Sequence, residues 1–241
     1  MIKTILAFAL TVFTIIFFTP IGIVIFFFSF LGLKKPLAWI TYKIAQYWAK
    51  GIIIITGCTM QVEGRENIPL HGGVCFASNH GSIFDVILAL AYIGRPFGFI
   101  AKKELLAVPF INMWISILGG LFIDRLNMRK AVRTINQGIK RIQNGSCMLI
   151  FPEGTRNKGQ GLLPFKSGVV KLATNSYAPI VPIAITGSFG VFEIDYRVHG
   201  VPIRMTFCPP IDTAETGKID RRHILSDQVR LAIEEALNRQ S

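Results

Sequence analysis

The chain is short of charge, and of negative charge in particular. Charged residues make up 17% of its 241 residues, whereas hydrophobic residues make up 51%, a balance that excludes the composition of an ordinary soluble domain. Lys and Arg number 26 against 14 Asp and Glu, for a net charge of +12, so the surface attracts anions. Because the basic residues are scattered rather than clustered, we expect a membrane face or a phosphorylated substrate as partner, and no nucleic acid.

The chain also lacks closely spaced cysteines. No C-x-x-C pattern occurs among Cys58, Cys75, Cys147 and Cys208. This spacing argues against a zinc site and against a disulfide framework, and it favours thiols kept reduced in the cytosol. We therefore expect no metal ion and no resident cofactor.

Charge is absent from the whole stretch between Thr4 and Leu33, which Lys3 precedes and Lys34 follows. A run this long and apolar predicts a membrane segment. The alternative is a cleaved secretory signal, but that would have an apolar region of about 7–15 residues and a small-residue cleavage site. Neither feature is present.

Pro20 and Gly22 interrupt this segment near its middle. Two helices of about 15 residues would each reach only about 22 Å, which is short of the roughly 30 Å hydrocarbon core. The interruption therefore favours a re-entrant pair of helices that dips into one leaflet. The alternative is one tilted helix kinked at Pro20, although basic residues at both ends give it no charge asymmetry for orientation.

A second helix is predicted after Pro36. Its apolar positions recur at helical spacing, with polar side chains on the other face. The pattern fits an interfacial helix, and it fits equally well an amphipathic helix packed on its own domain. The apolar face is Leu37, Ile40, Ile44, Tyr47 and Trp48, and the polar face is Lys43, Gln46 and Lys50.

From about Met60 onward, short apolar runs alternate with helical patterns, which predicts a single α/β domain over residues 59–241. Residues 1–58, which precede it in the sequence, are predicted to form the membrane-embedded and interfacial helices. Buried strands are predicted at Val74–Ser78, Phe97–Ala101, Leu121–Ile123, Cys147–Phe151, Ile180–Thr186 and Ile203–Phe207.

Two helices are predicted within this domain. One carries Val132, Ile135, Ile139 and Ile142 on one face and ends at Asn144-Gly145, a common helix stop. Its other face, with Arg129, Arg133 and Lys140, is interpreted as a solvated basic face. The segment 221–239 is predicted to form a closing helix.

A candidate catalytic pair lies where the first strand ends. His80 and Asp85 are five residues apart, with Gly81 permitting a tight turn and Ser82 forming an S-x-x-D capping pattern with Asp85. A carboxylate bonded to one imidazole nitrogen leaves the other nitrogen free as a base. The alternative is that Asp85 only caps the helix and His80 is a turn residue.

Three further segments place charged side chains after apolar strands. Phe151-Pro152-Glu153-Gly154-Thr155-Arg156 supplies a guanidinium suited to bidentate capture of phosphate. Ala101-Lys102-Lys103-Glu104-Leu105 and Gly119-Gly120-Leu121-Phe122-Ile123-Asp124-Arg125 supply more cations. Each is weak alone, because cations at strand ends are usually just solvated.

Together and in this order, the four segments resemble the glycerolipid acyltransferase family, most closely its bacterial lysophosphatidic acid acyltransferases. The resemblance covers residues 62–209. The family's first motif is matched by Asn79, His80 and Asp85, and its second by Lys102-Lys103-Glu104-Leu105, Pro109 and Phe122-Ile123-Asp124-Arg125. The third is matched by Phe151-Pro152-Glu153-Gly154-Thr155-Arg156 with Pro164-Phe165-Lys166 and Gly168, and the fourth by Val181-Pro182-Ile183.

The resemblance implies an acyltransferase-like α/β domain with a mostly buried central sheet, attached to the inner membrane with its catalytic part on the cytoplasmic face. It implies that His80 is the general base and Asp85 its partner, and that a thioester donor, acyl-CoA or acyl carrier protein, acylates the sn-2 hydroxyl of lysophosphatidic acid directly. Glu153 would hold glycerol hydroxyls or brace the Arg156 turn, and Gly154 would provide turn geometry. The implied substrate-binding residues are Lys102, Arg125, Glu153, Gly154, Thr155 and Arg156.

Other functions stay open. Glycerol-3-phosphate or another lysophospholipid could be the acceptor. A lipid esterase also uses a His–Asp pair, but it needs a nucleophile elbow such as G-x-S-x-G, which is absent. A non-catalytic basic membrane adaptor is the third possibility.

Overall fold

The computed structural model of the chain describes residues 2–30, 34–213 and 221–240. Short 3-10 turns lie at Arg65–Asn67, Lys103–Ala107 and Ser188–Val191. The strands are β1 (Thr59–Glu63), β2 (Val74–Ser78), β3 (Phe97–Lys102), β4 (Leu121–Ile123), β5 (Cys147–Ile150), β6 (Ile180–Thr186) and β7 (Pro202–Phe207). The helices are α1 (Ile2–Phe30), α2 (Lys34–Thr56), α3 (Phe84–Tyr92), α4 (Ile111–Ile117), α5 (Met128–Gln143), α6 (Ser167–Thr174) and α7 (Arg221–Gln240).

The strands form one sheet in the order β1-β7-β6-β2-β5-β3-β4. Five neighbouring strands run parallel to one another, in the order β6-β2-β5-β3-β4. Beyond them, β7 runs antiparallel to β6, and β1 runs parallel to β7. The carboxyl ends of the five parallel strands therefore lie along one edge of the sheet. Parallel sheets place ligand sites at that edge.

The centre of the sheet is buried on both faces. All residues of β2 and β5 are buried. Alternate residues of β2 enter different clusters: Val74 and Phe76 pack on the side of α2 and α3, and Cys75 and Ala77 pack on the side of α5 and α7. This confirms the prediction of a mostly buried central sheet, which follows from the continuous apolar runs.

Every strand predicted from the sequence is present, with bounds that differ by at most one residue at either end. Strand β1 was not predicted, because it lies at the edge of the sheet and its residues alternate between exposed and half-buried instead of forming an apolar run. Helices α4 and α6 were not predicted either. The basic face of α5 is exposed, as expected, but Val132, assigned to its apolar face, is also exposed.

The expected break at Pro20 is wrong: α1 is one continuous helix of 29 residues with Pro20 inside it. A proline removes one backbone donor, and apolar surroundings keep the remaining helical hydrogen bonds formed. Gly22 serves close packing rather than a turn, because a Cβ there would lie 2.7 Å from Met113 Cε on α4. The re-entrant pair of short helices is therefore replaced by a single long helix.

Helix α1 contacts other parts of the chain along most of its length. The Val198 N–H donates to Thr4 Oγ1 at 3.0 Å, and Trp48 Nε1 donates to Thr14 Oγ1 at 2.9 Å. With Gly22 against α4, these contacts extend over about 27 Å of the helix axis. The stretch Lys3–Phe28 is long and apolar enough to cross a membrane. Its outer side exposes large apolar side chains at Ile5, Leu6, Phe8, Phe13, Phe17, Ile23, Val24 and Phe27.

Helix α2 adopts one of the two arrangements expected for it, an amphipathic helix packed on its own domain, and its interfacial position stays a prediction. It packs on α3 through a buried face that includes Tyr42, Ala45 and Ala49, and these residues belong to the main core. Its outer face exposes Ile40 and Tyr47, which the sequence pattern had grouped as apolar. Gln46 was assigned to the polar face, but it is buried, and it donates to the Tyr42 hydroxyl and to the Ala91 carbonyl oxygen.

Candidate active site

The loop after β2 is fixed to the neighbouring strand β6. The Asn79 side chain donates to the Ile185 carbonyl oxygen and accepts from the Ile185 N–H, both at 2.8 Å. An amide side chain that satisfies both backbone groups of one residue acts as a short piece of sheet. Asn79 therefore holds His80 at the carboxyl edge of the sheet.

His80 and Asp85 form a pair. His80 Nδ1 lies 2.9 Å from Asp85 Oδ2, and the Asp85 side chain is fully buried whereas that of His80 is 18% exposed. The His80 ring stacks on Phe151 with centroids 3.9 Å apart and an interplanar angle of 18°. Since Nδ1 is used by Asp85, Nε2 is the nitrogen left to meet a substrate.

Asp85 also bonds to the loop that leads into α3, in addition to its contact with His80. The same Oδ2 atom accepts from the Ser82 N–H at 2.9 Å, and Ser82 Oγ accepts from the Phe84 N–H at 2.9 Å. Asp85 Oδ1 has no hydrogen-bond partner among the described residues. The turn at Gly81 does not require glycine, because its backbone is outside the left-handed region and an added Cβ would make only ordinary contacts.

Glu153 is buried beside the His80 loop and holds it by hydrogen bonds. Its carboxylate accepts from the His80 N–H at 2.7 Å, from Asn157 Nδ2 at 3.3 Å and from the Leu163 N–H at 2.9 Å. The Asn157 N–H in turn donates to the His80 carbonyl oxygen at 2.7 Å. Glu153 therefore joins the His80 loop to Asn157, the residue after Arg156. Asn157 was not singled out from the sequence.

The turn that carries Arg156 depends on a glycine. Gly154 has φ +67°, in the left-handed region that favours glycine, and a Cβ there would lie 2.9 Å from Lys166 Cδ. Thr155 is exposed in the same turn. The side chain of Arg156 is 43% exposed, and its Nη1 lies 3.1 Å from Glu193 Oε1. No sequence pattern pointed to Glu193.

The remaining cations lie further along the same edge. Lys103 Nζ is 3.0 Å from Asp124 Oδ2, and the hydrogen bond from Lys103 lowers the pKa of Asp124. Lys102 and Arg125 are exposed, and neither forms an ion pair within the part of the chain that the structure describes. This difference favours Lys102 over Lys103 as the lysine available to a ligand.

The strand order sets the spacing of these groups. His80 follows β2, Arg156 follows β5, Lys102 ends β3 and Arg125 follows β4. Neighbouring strands are about 4.8 Å apart, so β5, β3 and β4, which precede or carry the three cations, lie about 5, 10 and 14 Å from β2. The edge therefore presents one base and, beside it, a row of positive charge.

Other chemistry finds less support in the residues described. No group of three or more His, Cys, Asp or Glu side chains converges there as a metal site. All four cysteines are free thiols, and only Cys58 is not buried. Ser78 and Ser82 each lie two residues from His80, but Ser78 Oγ donates to the Asn79 carbonyl oxygen and Ser82 Oγ donates to Glu193 Oε2. Within residues 2–30, 34–213 and 221–240, no serine or cysteine side chain is therefore hydrogen-bonded to the His80 ring.

Comparison with known proteins gives a consistent result. Residues 59–186, which contain the His80–Asp85 pair and the Arg156 turn, match the Acyltransferase family model. The 1-acyl-sn-glycerol-3-phosphate acyltransferase of Borreliella burgdorferi is 31% identical over 181 residues, covering 74% of this chain and 70% of that protein. The Escherichia coli protein of the same name is 32% identical over 161 residues, covering 66% of this chain and 62% of that protein.

A solved structure shares the fold. The crystal structure of the 1-acyl-sn-glycerophosphate (LPA) acyltransferase PlsC from Thermotoga maritima matches with a TM-score of 0.79 and 24% identity, covering 99% of this chain and 97% of that one. The family-model match spans both the His80–Asp85 pair and the Arg156 turn. The chain belongs to the acyltransferase family.

Proposed function

We propose that the chain transfers a fatty acyl group from a thioester donor to the sn-2 hydroxyl of lysophosphatidic acid, forming phosphatidic acid in phospholipid biosynthesis. The observation that carries the proposal is the 2.9 Å contact between His80 Nδ1 and Asp85 Oδ2 at the sheet edge that also carries Arg156. A base beside a phosphate-binding cation suits an acceptor that has both a hydroxyl and a phosphate. The names of the related proteins support the same acceptor.

In the proposed mechanism, Asp85 holds the imidazole with its proton on Nδ1. Nε2 then removes the proton from the acceptor hydroxyl as the oxygen attacks the thioester carbonyl carbon. The tetrahedral intermediate collapses, the C–S bond breaks, and the imidazolium returns the proton to the leaving thiolate. The Asp85 carboxylate stabilises the imidazolium, because an opposite charge within hydrogen-bond distance favours the charged form.

Arg156, Lys102 and Arg125 are proposed to bind the phosphate. Arg156 follows the strand next to that of His80, and in lysophosphatidic acid the phosphate is separated from the sn-2 hydroxyl by only a few bonds. Arg156 is therefore placed for the phosphate while His80 meets the hydroxyl. Lys102 and Arg125 extend the positive field outward and attract the anionic headgroup.

We place the chain on the cytoplasmic face of the inner membrane, with α1 immersed in the lipid surface. Helix α1 is in contact with the rest of the chain from Thr4 to Gly22, so lipid does not surround it along that length. The uncovered side of α1, which exposes large apolar side chains, is therefore the side that meets lipid. This position keeps the site at the bilayer, where a single-chain lipid can enter it.

The test is an acyl-transfer assay of the purified chain with three acceptors: lysophosphatidic acid, glycerol-3-phosphate and a zwitterionic lysophospholipid. Each acceptor is combined with acyl-CoA and with acyl carrier protein thioester, because both donors are proposed. We expect transfer to lysophosphatidic acid to exceed that to the other two acceptors. Release of free fatty acid at the same rate with and without an acceptor would instead indicate an esterase. Full activity of His80→Ala would refute the assignment of His80 as the base.

A further inference from the structure

Glu193 lies in the loop after β6, and its carboxylate joins two parts of the site. Oε2 accepts from Ser82 Oγ at 2.5 Å, while Oε1 accepts from the Ile83 N–H at 2.8 Å and from Arg156 Nη1 at 3.1 Å. The Glu193 side chain is 11% exposed. A carboxylate that is nearly buried and holds three donors is well ordered.

The donors belong to different segments. Ser82 and Ile83 lie between His80 and Asp85, in the loop that carries the catalytic pair, whereas Arg156 lies in the turn after β5. We propose that Glu193 is a positioning residue that fixes the Arg156 guanidinium at a set distance from the His80 imidazole. This inference rests on the proposed acyl transfer at this site.

The arrangement leaves Arg156 able to bind an anion. A guanidinium has five N–H donors, and Glu193 uses one nitrogen of it. Two further donors are enough for bidentate contact with a phosphate. The negative charge of Glu193 lies at the amino-terminal end of α3, where the helix dipole is positive and compensates it. Two of the three hydrogen bonds to Glu193 come from this end, from Ser82 Oγ and the Ile83 N–H.

A fixed distance between base and cation selects among acceptors. A long Arg side chain in water samples many rotamers, and ordering it on binding costs free energy. When Glu193 has already ordered it, an acceptor gains the full benefit only if its hydroxyl and phosphate match the separation of His80 and Arg156. Glu193 therefore contributes to acceptor affinity without touching the acceptor.

The experiment compares Glu193→Ala and Glu193→Gln in steady-state assays in which lysophosphatidic acid and the thioester donor are varied in turn. We expect Glu193→Ala to raise the acceptor KM about tenfold and to leave the donor KM within about twofold. Glu193→Gln should lie closer to wild type, because its amide oxygen still accepts hydrogen bonds. Asp195→Ala is the matched control: it removes a carboxylate two residues away that bonds His199 instead.

A second comparison asks whether Glu193 acts through Arg156. In the Arg156→Ala background, Glu193→Ala should change the acceptor KM by less than about twofold, because coupled residues are not additive. A lower acceptor KM in Glu193→Ala would overturn the inference, since the carboxylate would then compete with phosphate for Arg156. A tenfold rise of the acceptor KM on adding Glu193→Ala to Arg156→Ala would overturn it too, because Glu193 would then act independently of Arg156. Thermal denaturation identifies a variant that fails to fold, in which case Glu193→Gln decides.

The acyl-transfer activity and the role of Glu193 are distinguished by different outcomes. If the wild-type chain transfers no acyl group to lysophosphatidic acid, the proposed function is wrong. If the wild type is active and both Glu193 variants match it in acceptor KM, only the role of Glu193 is wrong.

Discussion

At the residue scale, one oxygen atom organises the site: Asp85 Oδ2 accepts from both the His80 ring and the Ser82 N–H at 2.9 Å. The atom thereby links the tautomer of the base to the start of α3. The second oxygen of the same buried carboxylate has no partner among the described residues. In the proposed mechanism, the carboxylate of Asp85 stabilises the imidazolium that forms during acyl transfer.

Replacing that charge gives the first prediction. Asp85→Asn keeps the size of the side chain but removes the negative charge, so we expect kcat to fall about 10²- to 10⁴-fold with a smaller change in either KM. The measurement is steady-state acyl transfer. The control is Asp195→Asn, because Asp195 and His199 form a second His–Asp pair with the same 2.9 Å separation but exposed to solvent. Equal losses in the two variants would contradict the assignment.

Arg156 gives the second prediction. Arg156→Ala should raise the KM for lysophosphatidic acid about tenfold or more while the donor KM changes little, because a guanidinium–phosphate contact is a strong, charge-assisted interaction. Arg133→Ala on the exposed face of α5 removes the same charge from the surface and serves as control. A rise confined to the donor KM would show that Arg156 faces the thioester instead.

The cysteines give the third prediction, which depends on pH. Burial raises the pKa of the Cys208 thiol to about 11 and raises those of Cys75 and Cys147 as well. Alkylation requires the thiolate, so at pH 7.5 to 9 we expect iodoacetamide to label Cys58 alone, as read by mass spectrometry. Labelling of all four should follow unfolding in urea. Rapid native labelling of Cys75 would contradict the buried position of β2.

The residues of the site differ in how far the sequence revealed them. His80 and Asp85 could be predicted because their contact is local and follows from strand-then-helix patterning. Asn157 and Glu193 could not, since each reaches a partner that is distant along the chain and carries no motif of its own. Glu153 was identified, but only the fold shows that its carboxylate accepts from the His80 N–H.

At the element scale, the buried parallel strands were the most predictable parts, because continuous apolar runs of this length suit a sheet covered on both faces. The edge strand β1 lacks such a run. Helix α1 was misjudged because Pro20 and Gly22 usually act as breakers in water, whereas tertiary contacts and apolar surroundings reverse that preference. The local signal was present, and the packing of Gly22 on α4 overrode it.

The exposed side of α1 gives the fourth prediction. In Phe13→Gln/Phe17→Gln, two largely exposed aromatic side chains are replaced without touching the Thr14 contact to Trp48. Each buried Phe contributes about 1.5–3 kcal/mol on leaving water, so the loss of two should weaken vesicle binding about 10²- to 10⁴-fold in a co-sedimentation assay. The control is Ile224→Gln/Leu231→Gln on α7, where two apolar residues of similar exposure lie on the opposite side of the sheet. Equal weakening by the control would contradict a specific role for α1.

At the scale of the whole molecule, two properties favour association with a membrane. The apolar side of α1 contributes a term that depends on buried area and is nearly independent of salt. The net charge of +12 contributes a second term that depends on anionic lipid and is screened by salt.

These two terms can be separated, and this is the fifth prediction. The wild-type chain should bind phosphatidylglycerol-containing vesicles more tightly than phosphatidylcholine vesicles at about 0.05 M salt, because each Lys or Arg near an anionic surface contributes about 1 kcal/mol. That difference should shrink as salt rises to about 0.5 M, where the Debye length is only about 4 Å. Binding to phosphatidylcholine should be insensitive to salt and should be lost in Phe13→Gln/Phe17→Gln. If the preference for anionic vesicles survived high salt, then shape or specific headgroup recognition, and not the net positive charge, would direct the chain to its membrane.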